Sequence, residues 1–298
     1  MSLNKPIYKL RDWIDINKLD WCMLSANKNA ISLLIENPDK INWFYLSLNK
    51  NAIELLSNNQ DKINWDYLSL NKNAIKLLYE NYDKINWHYL SLNKNAIPLL
   101  IENPDKIDWD YLSLNKNAIE LLSNNQDKIN WHYLSLNKNA IPLLIKNQDK
   151  INWHFLSENK NAISLLIHNY DKINWNHLSF NENAIHLLKE NKNRINWFFL
   201  SKNKNAFQLL YENKHKINNW SYLKSFNNNY IEFIKNNKNL INYFDLSSNP
   251  VIFELDYEKM KENKIHMNLY QDLIKKVMKP SKIFKNPKYD YIEQLFGD

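Results

Sequence analysis

Tryptophan recurs along this chain with a constant step of 22 residues, at Trp21, Trp43, Trp65, Trp87, Trp109, Trp131, Trp153, Trp175 and Trp197. A fixed short period means that one small supersecondary unit is copied along the chain. A unit too small to bury its own apolar face must stack on its neighbours. The stretch from Asp61 to Leu78, DKINWDYLSLNKNAIKLL, shows the unit. The 298 residues therefore predict one elongated repeat domain rather than two globular ones.

Local chemistry places two short helices in each unit. Asn64 is positioned to cap a first helix over Trp65 to Leu70, and Asp108 fills the same slot ahead of Trp109. Trp65 and Leu68 share one face while Ile63 and Tyr67 lie on the other, which suits an element sandwiched between two repeats. Asn71 is expected to end this helix in the left-handed conformation. A second helix follows Asn73, with Ala74, Ile75, Leu77 and Leu78 facing inward. Pro98 and Pro142 fall in its first turn, where proline is tolerated. Glu54 and Glu120 stand three residues after Asn51 and Asn117, the spacing of a capping box. The helix ends at Asn37, Asn81 or Asn103, with Pro38 and Pro104 just beyond in two of the units.

Helices this short are marginal alone in water. The predicted fold is all-α: an α-solenoid of two-short-helix repeats with a 22-residue period and a capping helix at each end. The expected divisions are an N-terminal cap over 1–20, the solenoid over 21–257, and a C-terminal cap and tail over 258–298. In the first, Ile7, Leu10, Trp13 and Ile14 share one helical face; in the last, Leu269, Leu273, Ile274 and Val277 do so ahead of Pro280, and a further short helix or a loose tail takes in Tyr291 to Phe296. The register slips after Trp197, where Trp220 comes 23 residues on and Tyr243 a further 23. Ten units stacked roughly 8–10 Å apart predict a curved rod on the order of 100 Å long, each tryptophan covered by the next repeat.

Composition removes whole classes of function. Gly297 is the only glycine, so no glycine-dependent phosphate loop can be drawn. Cys22 is the only cysteine, which rules out an internal disulfide and favours a reducing compartment. The N-terminus lacks the apolar run of a secretory signal, and no stretch approaches the roughly 20 apolar residues of a membrane span. No HExxH or CxxC occurs, and His154, His168, His177 and His186 fall on different faces and repeats. The expectation is a non-enzymatic protein with no catalytic residue, metal, cofactor, small-molecule substrate or membrane partner.

Function then rests on exposed positions that align from repeat to repeat. The residue after each tryptophan varies: Phe44, Asp66, His88, Asp110, His132, His154, Asn176 and Phe198. This ladder is the candidate strip for a protein partner, with the phenylalanines as anchors; the competing reading is a solvated stripe with weak ion pairing. A second ladder on the second helix, running from Ser32 and Glu54 to Gln208, has the mixed chemistry of exposed filler. A third is basic: Lys28, Lys50, Lys72, Lys94, Lys116, Lys138 and Lys160 sit between the two helices, broken by Glu182 and resumed at Lys204. With the net charge of +7 it permits a nucleic-acid or other anionic partner. Lysine-rich composition from A/T-rich codons is the competing account.

The repeat Ile-Asn/Asp-Trp-x-x-Leu-Ser-x-Asn-x-x-Ala-Ile-x-Leu-Leu-x-x-Asn-x-Asp-Lys-Ile resembles the short Trp/Asn repeat proteins present in many copies in giant DNA viruses of amoebae, the mimivirus relatives. The resemblance covers about 13–257, and the segment from Tyr257 to Phe296 is similar to the C-terminal part of such proteins. It implies a viral origin and an intracellular setting, the host cytoplasm or viral factory, and carries little biochemistry. The expected role is a protein-binding scaffold. A nucleic-acid-binding solenoid reading one base per unit is the alternative, and a structural component of the virion or viral factory is a third.

Overall fold

Each repeat contains three short helices rather than two. In the computed structural model, which describes residues 6–217, 220 and 228–262, the Trp65 repeat carries α-helices Trp65–Leu70 and Ile75–Glu80 and then a 3-10 turn Tyr82–Lys84. The same trio recurs through the all-α solenoid. The 3-10 turn follows from a detail of the second helix's end: Asn37 and Asn103 hand the chain to Pro38 and Pro104, which begin the turn at its first position.

Four features of the unit have one explanation each. Asn64, Asp108 and their counterparts cap the first helix as expected; Asp108 accepts from the Tyr111 N–H at 2.9 Å. The serine four residues after the tryptophan is buried and faces two ways. Ser113 Oγ donates to Trp109 O at 2.7 Å and accepts from Asn130 N of the following repeat at 3.0 Å. Asn81 folds its side chain back onto Leu77 O at 3.0 Å, satisfying an orphan carbonyl at the end of the second helix. The leucines Leu68, Leu78, Leu112 and Leu134 are fully buried and form the core with Ala74, Ala96 and Ala118.

Asn71 departs from the expected left-handed cap. Its backbone is extended, φ −76° and ψ 108°, and its side chain works between repeats. Nδ2 donates to Ser47 O at 3.0 Å and Asn49 O at 3.2 Å in the preceding repeat, while Oδ1 accepts from Asn73 N at 3.1 Å. Asn73 donates likewise to Lys50 O at 2.8 Å. Nor does Asn73 cap the second helix: Ala74 does, without a side-chain bond. The capping boxes expected at Asn51–Glu54 and Asn117–Glu120 are therefore absent, with Ala52 and Ala118 at those N-caps. The asparagines are committed to a ladder that runs from loop to loop along the stack.

The ladder sets the curvature. First helices pack closely on both neighbours, second helices only sparsely, so the stack is tight along the asparagine loops and wide outside. The row bends until its ends meet. Helix Trp21–Ala26 packs on helix Tyr243–Ser247, and the bonds between them are those of any two successive repeats. Asp20 N donates to Ser247 Oγ at 2.8 Å and Asn27 Nδ2 to Ser247 O at 3.0 Å. Their counterparts inside the stack are Asn42 N to Ser25 Oγ at 2.9 Å and Asn49 Nδ2 to Ser25 O at 3.0 Å. Lys18 lies over Tyr243 as Lys40 lies over Trp21. The repeats thus form a closed ring, where a curved rod was expected. Between Trp197 and Tyr243 the chain passes through Trp220, enclosed by Phe207 and Phe233, and helix Asn228–Asn236.

The chain divides into two units, the larger Leu10–Phe253 and the smaller Met1–Lys9 with Glu254–Asp298. The helix expected over Ile7, Leu10, Trp13 and Ile14 is not formed. Strand β1 (Tyr8–Leu10) pairs instead with β2 (Phe253–Leu255). In the smaller unit Asp256 N donates to Ile7 O at 2.9 Å and helix Tyr257–Glu262 follows. In the larger unit Arg11 N donates to Ile252 O at 2.9 Å. Pro250 opens a 3-10 turn over Pro250–Ile252. The helices expected around Leu269 to Val277 and Tyr291 to Phe296 lie outside the described residues.

Candidate functional site: a lysine-lined basin

The three ladders read from the sequence have different structural fates. The residues after the tryptophans are exposed, but the polar ones are bonded to the next repeat's helix cap. Asn86 Nδ2 donates to Asp66 at 2.8 Å and Asn130 Nδ2 to Asp110 at 2.9 Å. His88 pairs with Asp108. His132 and His154 meet Asn152 and Asn174 at 2.7 and 2.6 Å, and Asn196 donates to Asn176 at 3.2 Å. These six are clasps between repeats. Phe44 and Phe198 at the two ends remain 41% and 56% exposed, each against an aromatic neighbour, Tyr67 and Phe199. The second-helix ladder is largely exposed, with short-range pairs such as Lys76–Glu80 that contribute little.

The Asp-Lys-Ile lysines supply an interaction that the sequence reading missed. Lys62, Lys84, Lys106, Lys128, Lys150 and Lys172 each lie over the indole of the tryptophan 22 residues before the one that follows them, at 4.6–4.9 Å from the ring centre. Arg194 does the same over Trp175 at 4.9 Å. The signal was present: a cation stands 19 residues after each of the nine tryptophans from Trp21 to Trp197. These tryptophans are half-buried rather than covered by the next repeat's core, and Trp220 alone among the described ones is fully buried. Lys128→Ala is therefore expected to lower stability by about 0.5–1 kcal/mol, the range of an exposed cation–π contact. A urea titration followed by tryptophan emission reads it, and no change would mean the contact is ornamental.

The basic ladder is brought together. Because the loops lie where the ring is tightest, Lys28, Lys50, Lys72, Lys94 and Lys116 line a single basin of about 580 Å³, to which Ser248 and Pro250 of the last repeat also contribute. The rest of its lining is Ala26, Leu48, Leu70, Leu92 and Leu114 with Asn71, Asn93 and Asn115. A smaller recess of about 210 Å³ holds Lys138, Lys160, Glu182 and Lys202.

The electrostatics of the basin are those of crowded like charges. Burial and the neighbouring Lys28 and Lys72 push the Lys50 ammonium below its ordinary pKa. Lys116 is lowered by the neighbouring Lys94 charge, then by burial and Lys160. Lys138 is lowered by Lys116, burial and Lys160, with the Glu182 charge pulling the other way. Glu182 is the one acid in the series. Burial pushes its carboxyl up, but hydrogen bonds from Lys204 and Lys160 more than offset this and hold it below the usual range. It bridges the two at 3.0 and 3.2 Å. Among the described residues no carboxylate pairs with Lys50, Lys72, Lys94 or Lys116.

Among the described residues no three His, Cys, Asp or Glu side chains group as a metal site, and no helix is long and apolar enough to cross a membrane. The class defined by fold and site is a closed helical-repeat ring with a cationic basin. Compared with protein-family models, curated proteins and solved structures, the chain finds no match in any of the three.

Proposed function

We propose that this protein is a non-enzymatic binding module that holds a multivalent anion in its lysine basin. The observation that carries the reading is the convergence of five lysines from consecutive repeats on one volume, with no acid to balance Lys50, Lys72, Lys94 or Lys116 among the described residues. Like charges held at depressed pKa make a folded state that an anion stabilises by binding. The protein-partner strip is the weaker alternative, because Asp66, His88, Asp110, His132, His154 and Asn176 are engaged with neighbouring caps. The intracellular setting implied by the repeat's resemblance offers abundant multivalent anions.

Thermal melting at constant ionic strength tests this. Replacing chloride by sulfate is expected to raise the melting temperature of the native protein and to have little effect on Lys72→Ala/Lys94→Ala/Lys116→Ala. Ionic strength is held fixed so that general screening does not mimic a site. An equal rise in both proteins would overturn the proposal.

A further inference from the structure

We infer that the anion is a compact polyphosphate, several phosphate groups clustered on a small core or short chain, and not a nucleic-acid strand. The inference rests on the anion-binding reading above. Its first support is shape. Lys28, Lys50, Lys72, Lys94 and Lys116, from five consecutive repeats, line the same basin. The charges converge around one volume instead of tracking a line. The basin, about 580 Å³, lies within the roughly 300–1,000 Å³ of small-ligand sites.

The second support is what lines the basin. Sequence-tolerant single-strand binding uses aromatic platforms on which bases stack. The lining here is lysine, leucine, asparagine and alanine, with one serine and one proline. The aromatic rows of the repeat are elsewhere: Tyr67, Tyr89 and Tyr111 contact one another in series. The third support is the exhaustion of other donors. Asn93 and Asn115 spend both side-chain amide bonds on the preceding loop. Recognition is left to ammonium groups, which serve phosphate as mobile point charges and do not impose the planar geometry that arginine would.

Isothermal titration of the full chain with three probes at matched phosphate concentration decides the matter: tripolyphosphate, myo-inositol hexakisphosphate and a 12-nucleotide oligothymidylate. The two compact anions are expected to bind one per ring, with oligothymidylate at least about a hundredfold weaker, the loss of two charge-assisted contacts. Lys72→Ala/Lys94→Ala/Lys116→Ala is expected to weaken the compact anions by a similar factor while its circular dichroism and melting temperature hold, since it removes mutual repulsion. Glu182→Gln takes away the counter-carboxylate that holds Lys160 and Lys204 and is expected to tighten them. Oligothymidylate binding as tightly as the compact anions, or compact anions binding the triple variant unchanged, overturns the inference. Sulfate stabilisation without polyphosphate binding also overturns it and leaves the anion-binding module standing. If neither sulfate nor any probe acts through the lysines, both fail.

Discussion

Asn115→Ala is expected to lower the free energy of unfolding by about 3–4 kcal/mol, more than most single polar truncations. Asn115 is 1% exposed and ties two repeats together. Nδ2 reaches Ser91 O at 2.9 Å and Asn93 O at 3.1 Å, and Oδ1 receives Asn117 N at 3.1 Å. After truncation Asn93 O keeps its bond from Ala96 N, but Ser91 O loses this partner in a buried place and Asn117 N in a part-buried one. A stranded buried donor or acceptor costs about 1–3 kcal/mol, so Ser91 O contributes most, and the bonds lost at Asn117 N and Asn93 O add about 1 kcal/mol each. Asn115→Asp is expected to be worse, since a carboxylate would face two carbonyl oxygens with nothing to donate. The internal comparison is Asn117→Ala, two residues on. Its bond to Lys94 O is exposed, and water replaces it at a cost of about 1 kcal/mol or less. Guanidinium titrations of the three variants measure the order. Equal losses for Asn115 and Asn117 would show that the loop ladder does not carry the stack.

That contrast also explains which parts of the fold were legible in the sequence. The 22-residue step, the cap at Asn64 and the buried Leu68, Leu77 and Leu78 follow from periodicity and local propensity, because each is decided inside one unit. Asn71 misled for the opposite reason. Asparagine at a helix end has a local role, and only the neighbouring loop's carbonyls show that the side chain is spent between units. The capping boxes at Asn51 and Asn117 failed in the same way, since Asn51 and Asn117 donate to Lys28 O and Lys94 O of the previous repeat. The lysine series was visible as a ladder, but a linear stack would set its charges in a row. Convergence on one basin depends on curvature, a sum of small inter-repeat rotations that no single unit encodes. The cation over each tryptophan was within reach, because the spacing of 19 is as regular as the tryptophan period itself.

Ring closure makes the most distinctive mechanical prediction: Leu246→Ala is expected to loosen the first repeat, at the far end of the sequence. Leu246 and Leu24 are both fully buried, on the two helices whose packing joins the ends. A Leu→Ala change at such a site removes about 2–5 kcal/mol, equivalent to a roughly thirtyfold or greater rise in local opening. In an open solenoid each repeat touches only its sequence neighbours, so damage in the last repeat frays that end and spares the other. In the ring the last repeat is also the neighbour that precedes the first. Asp20 N and Asn27 Nδ2 depend on Ser247, and Asn29 Nδ2 reaches Pro250 O at 3.4 Å. Native-state hydrogen exchange separates the two cases. Faster exchange at Asp20 and through Trp21–Ala26, with the Trp109 repeat on the opposite side less affected, is the signature of closure. Exchange enhanced only around Tyr243–Ile252 would mean that the ends do not support each other in solution. The same opening would split the basin wall at Ser248 and Pro250, so the Leu246→Ala protein is also expected to lose part of its stabilisation by sulfate, tying the integrity of the ring to the site that it creates.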